Sequence, residues 1–240
     1  MDSRLQPTSF KSLLIQKQGL LLVDKPSGPT SHDVVAWARR VFGERRIGHT
    51  GTLDPLATGL LLVLVSREFT RLQTQLLSLP KTYLVEILLG ATSDTYDRLG
   101  QISAKSPMKP KDLPTIQLIL EEFKGNIQQQ VPAYSAVKIG GKKLYSLARQ
   151  QKMEAVELPV RSITIDLLEI VSFEWPKLTL RIGCSSGTYI RSLAHDLGEK
   201  LGCGGLVQEL RRETIGSFSV TAAEICPYLP FKTLSSTSKD

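Results

Sequence analysis

Six consecutive apolar residues, Leu60 to Val65, constrain the fold of this chain more than any other feature. A short run with no polar position reads as a strand buried on both faces, because an exposed face would show alternation. Residues 43–59, just before it, hold four glycines and little apolar periodicity. That composition predicts a loop whose shape is set by its backbone.

Other elements follow from spacing and breakers. Gly19 to Val23 is a short apolar strand, ended by Lys25-Pro26-Ser27-Gly28-Pro29. Thr30 with Asp33 three residues on is a capping pair for a helix carrying Val34, Ala38 and Val41, which Gly43 ends. Phe69, Leu72, Leu76 and Leu77 repeat at helical spacing, and Lys81 to Leu89 alternates as a strand. Residues 94–100 read as turns, 112–123 as a helix with Pro114 in its first turn, 125–141 as a loop, and 142–151 as a basic helix. Strands are expected from Val156 to Trp175 and from Leu178 to Cys184. An amphipathic helix follows on Ile190, Leu193, Ala194, Leu197 and Leu201, and then strand over 205–220. Strand follows strand in the second half, which predicts a mixed α/β (α+β) fold with a largely antiparallel sheet rather than a doubly wound parallel one. A single catalytic domain over 19–225 is expected, with a poorly ordered extension over 1–18 and a frayed tail over 226–240.

The chain has 240 residues and a net charge of +7, which tilts the partner toward an anion such as nucleic acid. Cys184, Cys203 and Cys226 form no C-x-x-C pair, and an odd, low count argues against a secreted disulfide scaffold. No apolar run approaches membrane-spanning length, and Leu13 to Ile15 is too short for a signal core. A cytoplasmic protein without a membrane partner is expected.

Three motif matches fail. Residues 43–50 approach a phosphate-binding loop, but His49 stands where Lys is required, and a helix precedes the segment instead of a strand. Gly183-Cys184-Ser185-Ser186-Gly187 matches a hydrolase nucleophile elbow. However, no carboxylate lies between Ser185 and His195, and His195 sits on the very helix that would follow the elbow. His32, His49 and His195 are isolated from other ligand types, so no metal is expected.

The most informative stretch runs from Arg45 to Gly59 through Gly48-His49-Thr50-Gly51-Thr52-Leu53-Asp54-Pro55. A carboxylate on such a loop is a nucleophile if it stays ionised, and a plain turn residue before Pro55 otherwise. Composition alone favours the turn. The stretch nevertheless resembles the catalytic motif of the TruB family of tRNA pseudouridine synthases, nearly residue for residue. The resemblance continues in order through Gly19–Pro26, Lys81-Thr82-Tyr83, Thr92–Gly100, Val131–Lys138, Gly141–Tyr145, Gly187–Leu193 and Leu210-Arg211-Arg212.

The resemblance implies isomerisation of a uridine in RNA to pseudouridine, without a cofactor and without a metal. It makes Asp54 the nucleophile, with attack on base or ribose left open. Arg191 is implied as the partner of Asp54, and Tyr83 as the ring that stacks on the target base and takes part in proton transfer at C5. Tyr189 and the backbone near Leu210 are implied to contact the same uridine. His49 is implied to fill the space that a flipped base leaves. Lys138, Lys142 and Lys143 lie in an RNA-gripping insertion, about 125–152, where they would hold phosphate or simply form a solvated basic face. The implied substrate is the T-arm uridine at position 55 of tRNA. The chain departs from the common family pattern at its end, where only about twenty residues follow Ser219, too few for a C-terminal PUA-type domain; a monomer acting without guide RNA is expected. An RNA-folding factor on the same scaffold is the competing expectation, and a hydrolase using Ser185 a distant third.

Overall fold

The computed structural model describes residues 5–104, 113–150 and 156–225. The chain forms two compact units, one from residues up to Tyr83 and from Leu210 onward, the other from Leu84–Glu209. The first begins with α1 (Phe10–Gln16), β1 (Gly19–Lys25), α2 (Ser31–Phe42), β2 (Ile47–Thr50) and β3 (Thr58–Val65). Short helices α3 (Arg67–Thr70) and α4 (Gln73–Leu77) lead into β4 (Lys81–Leu89), along which the chain leaves this unit. The second unit holds β5 (Ala91–Ser93), β6 (Ile102–Ala104), α5 (Leu113–Glu121), β7 (Gly125–Gln130), β8 (Lys138–Ile139), β9 (Lys142–Lys143) and α6 (Leu144–Arg149). It continues with β10 (Val160–Glu174), β11 (Lys177–Cys184) and α7 (Ile190–Lys200). The next strand, β12 (Gly205–Ile215), returns the chain to the first unit, where β13 (Phe218–Ser219) and β14 (Glu224–Ile225) follow.

In the first unit β1 and β3 pair antiparallel from Gly19 opposite Val65 to Lys25 opposite Gly59. Alternate residues of these two strands serve two cores. Leu21, Val23, Leu61, Val63 and Val65 face α2 through Val34, Val35, Trp37, Ala38 and Phe42. Leu20, Leu22, Leu60, Leu62 and Leu64 face Leu72, Leu76, Ile215 and Phe218. This two-sided cover is why Leu60–Val65 carries no polar residue. Each such side chain contributes about 1.5–3 kcal/mol of transfer free energy before entropy is counted.

The other edge of β3 is shared. β2 pairs with its far end, Thr50 opposite Leu62, and β12 runs parallel to its start, with Arg211 opposite Thr58 and Arg212 opposite Gly59. The loop between β2 and β3 therefore lies beside Arg212. Gly59 has φ +99°, and a Cβ there would sit 2.3 Å from the Arg212 carbonyl oxygen, so only glycine permits this approach.

In the second unit the strand order is β4-β11-β10-β7, with β10 antiparallel to both β11 and β7. The mixed, mostly antiparallel sheet expected from the strand succession is what forms. The capping box of Thr30 and Asp33, the left-handed Gly43 after α2, and Pro114 near the start of α5 are also as expected.

Several elements differ from their sequence reading. Residues 10–16, expected in a poorly ordered extension, form α1. Ser9 caps it, Leu13 is fully buried, and Phe10 packs on Trp37 and Phe42. Two apolar contacts over two turns are too local a pattern to stand out in the sequence. The expected loop over 43–59 contains β2, and that over 125–141 contains β7 and β8. β7 is polar because its fixed residues are held by hydrogen bonds more than by apolar burial. The basic helix expected from 142 starts at Leu144, because Lys142 and Lys143 complete a hairpin with Lys138 and Ile139. The strands expected between Val156 and Trp175 are one long strand, β10, with irregular register near Leu167 and Ser172. The expected frayed tail lies outside the described residues.

Candidate active site

The loop bearing Asp54 is held from three directions. Ser31, the first residue of α2, accepts a 2.9 Å hydrogen bond from the Leu53 amide and donates at 3.2 Å to the Leu53 carbonyl. Arg212 donates to the Gly51 carbonyl at 2.9 Å and to the Leu60 carbonyl at 2.7 Å. The Pro55 carbonyl accepts from the Gly28 amide at 2.8 Å. Within the loop the Ala57 amide donates to the Asp54 carbonyl at 3.0 Å, so Asp54 and Pro55 open a β-turn. The turn reading of Asp54 is thus correct for its backbone, and its side chain is half-buried.

Two buried cations accompany this carboxylate. Arg212 is 1% exposed and Lys25 is fully buried. The Lys25 ammonium donates to the carbonyls of Pro26 and Pro29, each at 2.8 Å. Burial pushes its pKa down from 10.5 to about 8, with the Asp54 charge the main influence opposing that shift. Both cations lie in segments that carry the family resemblance, Gly19–Pro26 and Leu210-Arg211-Arg212. A buried charge has no signature in composition or periodicity.

His49, on β2, meets Thr52 Oγ1 at 3.1 Å through Nε2, and its ring meets His32 edge-on with centroids 5.2 Å apart. Burial first, then the charges of His32 and Arg212, lower its pKa from 6.5 to about 4. The imidazole is therefore neutral at physiological pH. The Leu210 carbonyl accepts from Thr58 Oγ1 at 3.4 Å, and next to it Arg211 holds Asp24 bidentately at 3.0 and 2.7 Å. Tyr83 lies on β4, largely buried. Asp54, His49, Tyr83 and Leu210 thus all belong to the first unit.

Arg191, Tyr189 and the three lysines belong to the second unit. Arg191, in the first turn of α7, is 5% exposed. Its guanidinium donates to the carbonyls of Thr95 at 2.9 Å and Tyr134 at 3.0 Å, and its Nε stands 3.7 Å from Asp97. Asp97 is itself fixed by Thr95 Oγ1 at 2.8 Å and the Leu99 amide at 2.9 Å. Asp97 lies in the Thr92–Gly100 segment, where nothing in the local sequence distinguishes it from a turn residue. Tyr189 is half-buried, and both its backbone polar groups are bound by Gln129. Lys138 and Lys142 are exposed on the β8–β9 hairpin, whose turn residues Gly140 and Gly141 both have positive φ. The side chain of Lys143 lies outside the described residues.

The rejected motifs are accounted for. Residues 47–50 form a strand rather than a phosphate cradle. Ser185 Oγ accepts from the Thr164 amide at 2.9 Å, and His195 is stacked on Tyr96 with centroids 3.9 Å apart. Among the described residues no three His, Cys, Asp or Glu side chains gather as a metal site, and no helix is long and apolar enough to cross a membrane.

Residues 39–190 match the family model of the TruB family pseudouridylate synthase N-terminal domain, and residues 191–227 that of the tRNA pseudouridylate synthase B C-terminal domain. The chain belongs to the TruB family. It is accordingly a pseudouridine synthase, an isomerase. This TruB-family chain is 47% identical over 208 residues to the tRNA pseudouridine synthase B of Chlamydia felis, covering 85% of each chain. It is 43% identical over 209 residues to that of Mycobacterium tuberculosis, covering 85% of this chain and 69% of the relative. Among solved structures it resembles a chain of a Cbf5-Nop10-Gar1 complex, at TM-score 0.69 and 28% identity over 94% of its length. It also resembles a chain of an H/ACA RNP bound to a substrate RNA containing 2'-deoxyuridine, at TM-score 0.65 and 28% identity over 90% of its length. The TruB-family chain spans 58% and 53% of those two chains.

Proposed function

We propose that this chain isomerises the T-loop uridine at position 55 of tRNA to pseudouridine, with Asp54 as the nucleophile. The observation that carries the reading is a half-buried carboxylate on a loop fixed at Gly51, Leu53 and Pro55, within reach of the buried Lys25 charge. A loop fixed at three points holds such a carboxylate in one place, as a positioned nucleophile requires. The N1–C1′ bond breaks, a C5–C1′ bond forms, the C5 proton leaves to solvent and N1 gains a proton. Nothing is oxidised and no group is transferred away, so the reaction calls for no cofactor.

The target must leave its stack, at a cost of a few kcal/mol. His49, neutral with a pKa of about 4, suits the space the base vacates, since an uncharged ring stacks without bringing a desolvated charge. Tyr83 stacks on the flipped base and serves proton transfer at C5, and Tyr189 and the Leu210 backbone contact the same nucleotide. Arg191, its guanidinium oriented by Thr95, Tyr134 and Asp97, is the cation that the family resemblance assigns to the nucleophile. Lys138, Lys142 and Lys143 grip backbone phosphate, which positions RNA without reading sequence. The enzyme acts as a monomer and without guide RNA.

The test uses unmodified tRNA labelled with tritium at uridine C5. Asp54→Asn abolishes label release and leaves tRNA binding within about twofold of the parent, as expected when only a reacting group is lost. Persistent release in that variant would remove Asp54 from the mechanism. Binding of tRNA by the parent protein with no label release would favour an RNA-folding factor.

A further inference from the structure

The start of α7 lacks a side-chain cap of its own. Its N-cap residue, Tyr189, has extended backbone with φ −101° and ψ 106°. The neighbouring strand β7 supplies what is missing. Gln129, 2% exposed, spends both ends of its amide on this one residue. Its Nε2 donates to the Tyr189 carbonyl at 3.0 Å, and its Oε1 accepts from the Tyr189 amide at 2.8 Å. The partners themselves dictate which amide atom faces which, since an N–H meets an oxygen and a carbonyl meets an N–H. The next residue of β7 joins in, as the Gln130 carbonyl accepts from Ser192 Oγ at 3.0 Å.

Burying an amide is costly unless both ends are bonded, so packing alone would favour an apolar side chain here. Bonds to the N–H and the C=O of a single residue hold its φ and ψ together. Those two angles set the direction of the Cα–Cβ bond, and therefore where the half-buried Tyr189 ring is aimed.

We infer that Gln129 is a positioning residue that aims Tyr189 at the target uridine; this rests on the assignment of Tyr189 to that uridine. Gln129 touches no reacting atom and acts through Tyr189 alone.

A double-mutant cycle tests this with the full-length protein and C5-labelled tRNA. Gln129→Met keeps the side-chain volume and loses both bonds. Its single-turnover release rate falls about ten- to a hundredfold, the range for a misaimed contact, while the Kd for tRNA stays within about twofold. Tyr189→Leu is also slow. In the Tyr189→Leu background, adding Gln129→Met changes the rate by less than about twofold, because the ring that Gln129 aims is already gone. A multiplicative loss in the double variant overturns the role of Gln129 and leaves that of Tyr189 standing. A wild-type rate for Tyr189→Leu alone overturns the assignment of Tyr189, and the proposal with it.

Gln129→Glu decides the matter if Gln129→Met folds poorly. The ionised carboxylate accepts from the Tyr189 amide but turns an oxygen against its carbonyl, whereas the protonated acid restores both bonds. Its rate relative to wild type therefore recovers as pH falls from about 8 to about 5.5, since burial beside a carbonyl raises a carboxyl pKa. The recovery disappears when Tyr189→Leu is added. A ratio that stays flat with pH overturns the proposal.

Discussion

Arg212 and Gly51 are joined by a 2.9 Å hydrogen bond from a buried guanidinium to a backbone carbonyl. With a second bond from Nε to the Leu60 carbonyl at 2.7 Å, Arg212 secures both flanks of the loop that bears Asp54. The strand that carries Arg212 lies close enough to β3 that Gly59 has no space for a side chain. Loop position and strand packing are thus one arrangement, and its charge also acts on Lys25 and His49.

Arg212→Met removes both donors and leaves two carbonyls without them. Stability to urea falls by about 2–4 kcal/mol, the range for buried carbonyl groups left unpaired. The release rate falls further than tRNA affinity does, because the loop is displaced while the RNA grip is not. Arg212→Lys, a single ammonium with no planar fork, restores only part of either loss. Wild-type stability in Arg212→Met would show that the loop holds without it.

Ser31→Ala takes away the hydroxyl that serves both backbone groups of Leu53. The expected cost is about 1–3 kcal/mol, since the Leu53 amide has no water to turn to in a buried site. Asp54 is the next residue, so kcat falls with KM nearly unchanged. Steady-state kinetics on tRNA check this, and a change in KM alone would show that the Asp54 loop does not depend on Ser31.

His49 makes stability depend on pH in a defined window. Its pKa is about 4 in the folded chain against an ordinary 6.5. Between those values the unfolded state binds more protons than the folded state, so stability is lost as pH falls through the window. Above pH 6.5 this residue contributes no slope. His49→Gln removes the dependence, and the stability of the variant relative to wild type rises as pH falls from 6.5 to 4. Urea denaturation at several pH values measures it; parallel curves for the two proteins would refute it.

The most legible parts of the fold were those governed by local rules. β3 follows from its unbroken apolar run, and α2 from the Thr30–Asp33 box and the Gly43 stop. The β4 alternation is plain in Lys81 to Leu89. β7 was missed because three successive glutamines carry no apolar pattern, and α1 because its anchoring contacts are two aromatic neighbours more than twenty residues away. For the site, the loop itself was identifiable, whereas Ser31 reads in sequence only as the first residue after a helix cap.

The sequence by itself determined the strands and helices whose signals repeat over a few residues, and the ordered motifs that mark the TruB family. Tertiary structure alone decided which charges are buried and what they hold. Lys25 and Arg212 resemble any surface cations in a chain of net charge +7 until the fold removes them from water. Gln129 is one polar residue among several until the fold sets it against Tyr189. The reason is physical: desolvation and the pairing of distant polar groups depend on contacts between segments far apart in the chain, and no local pattern encodes them.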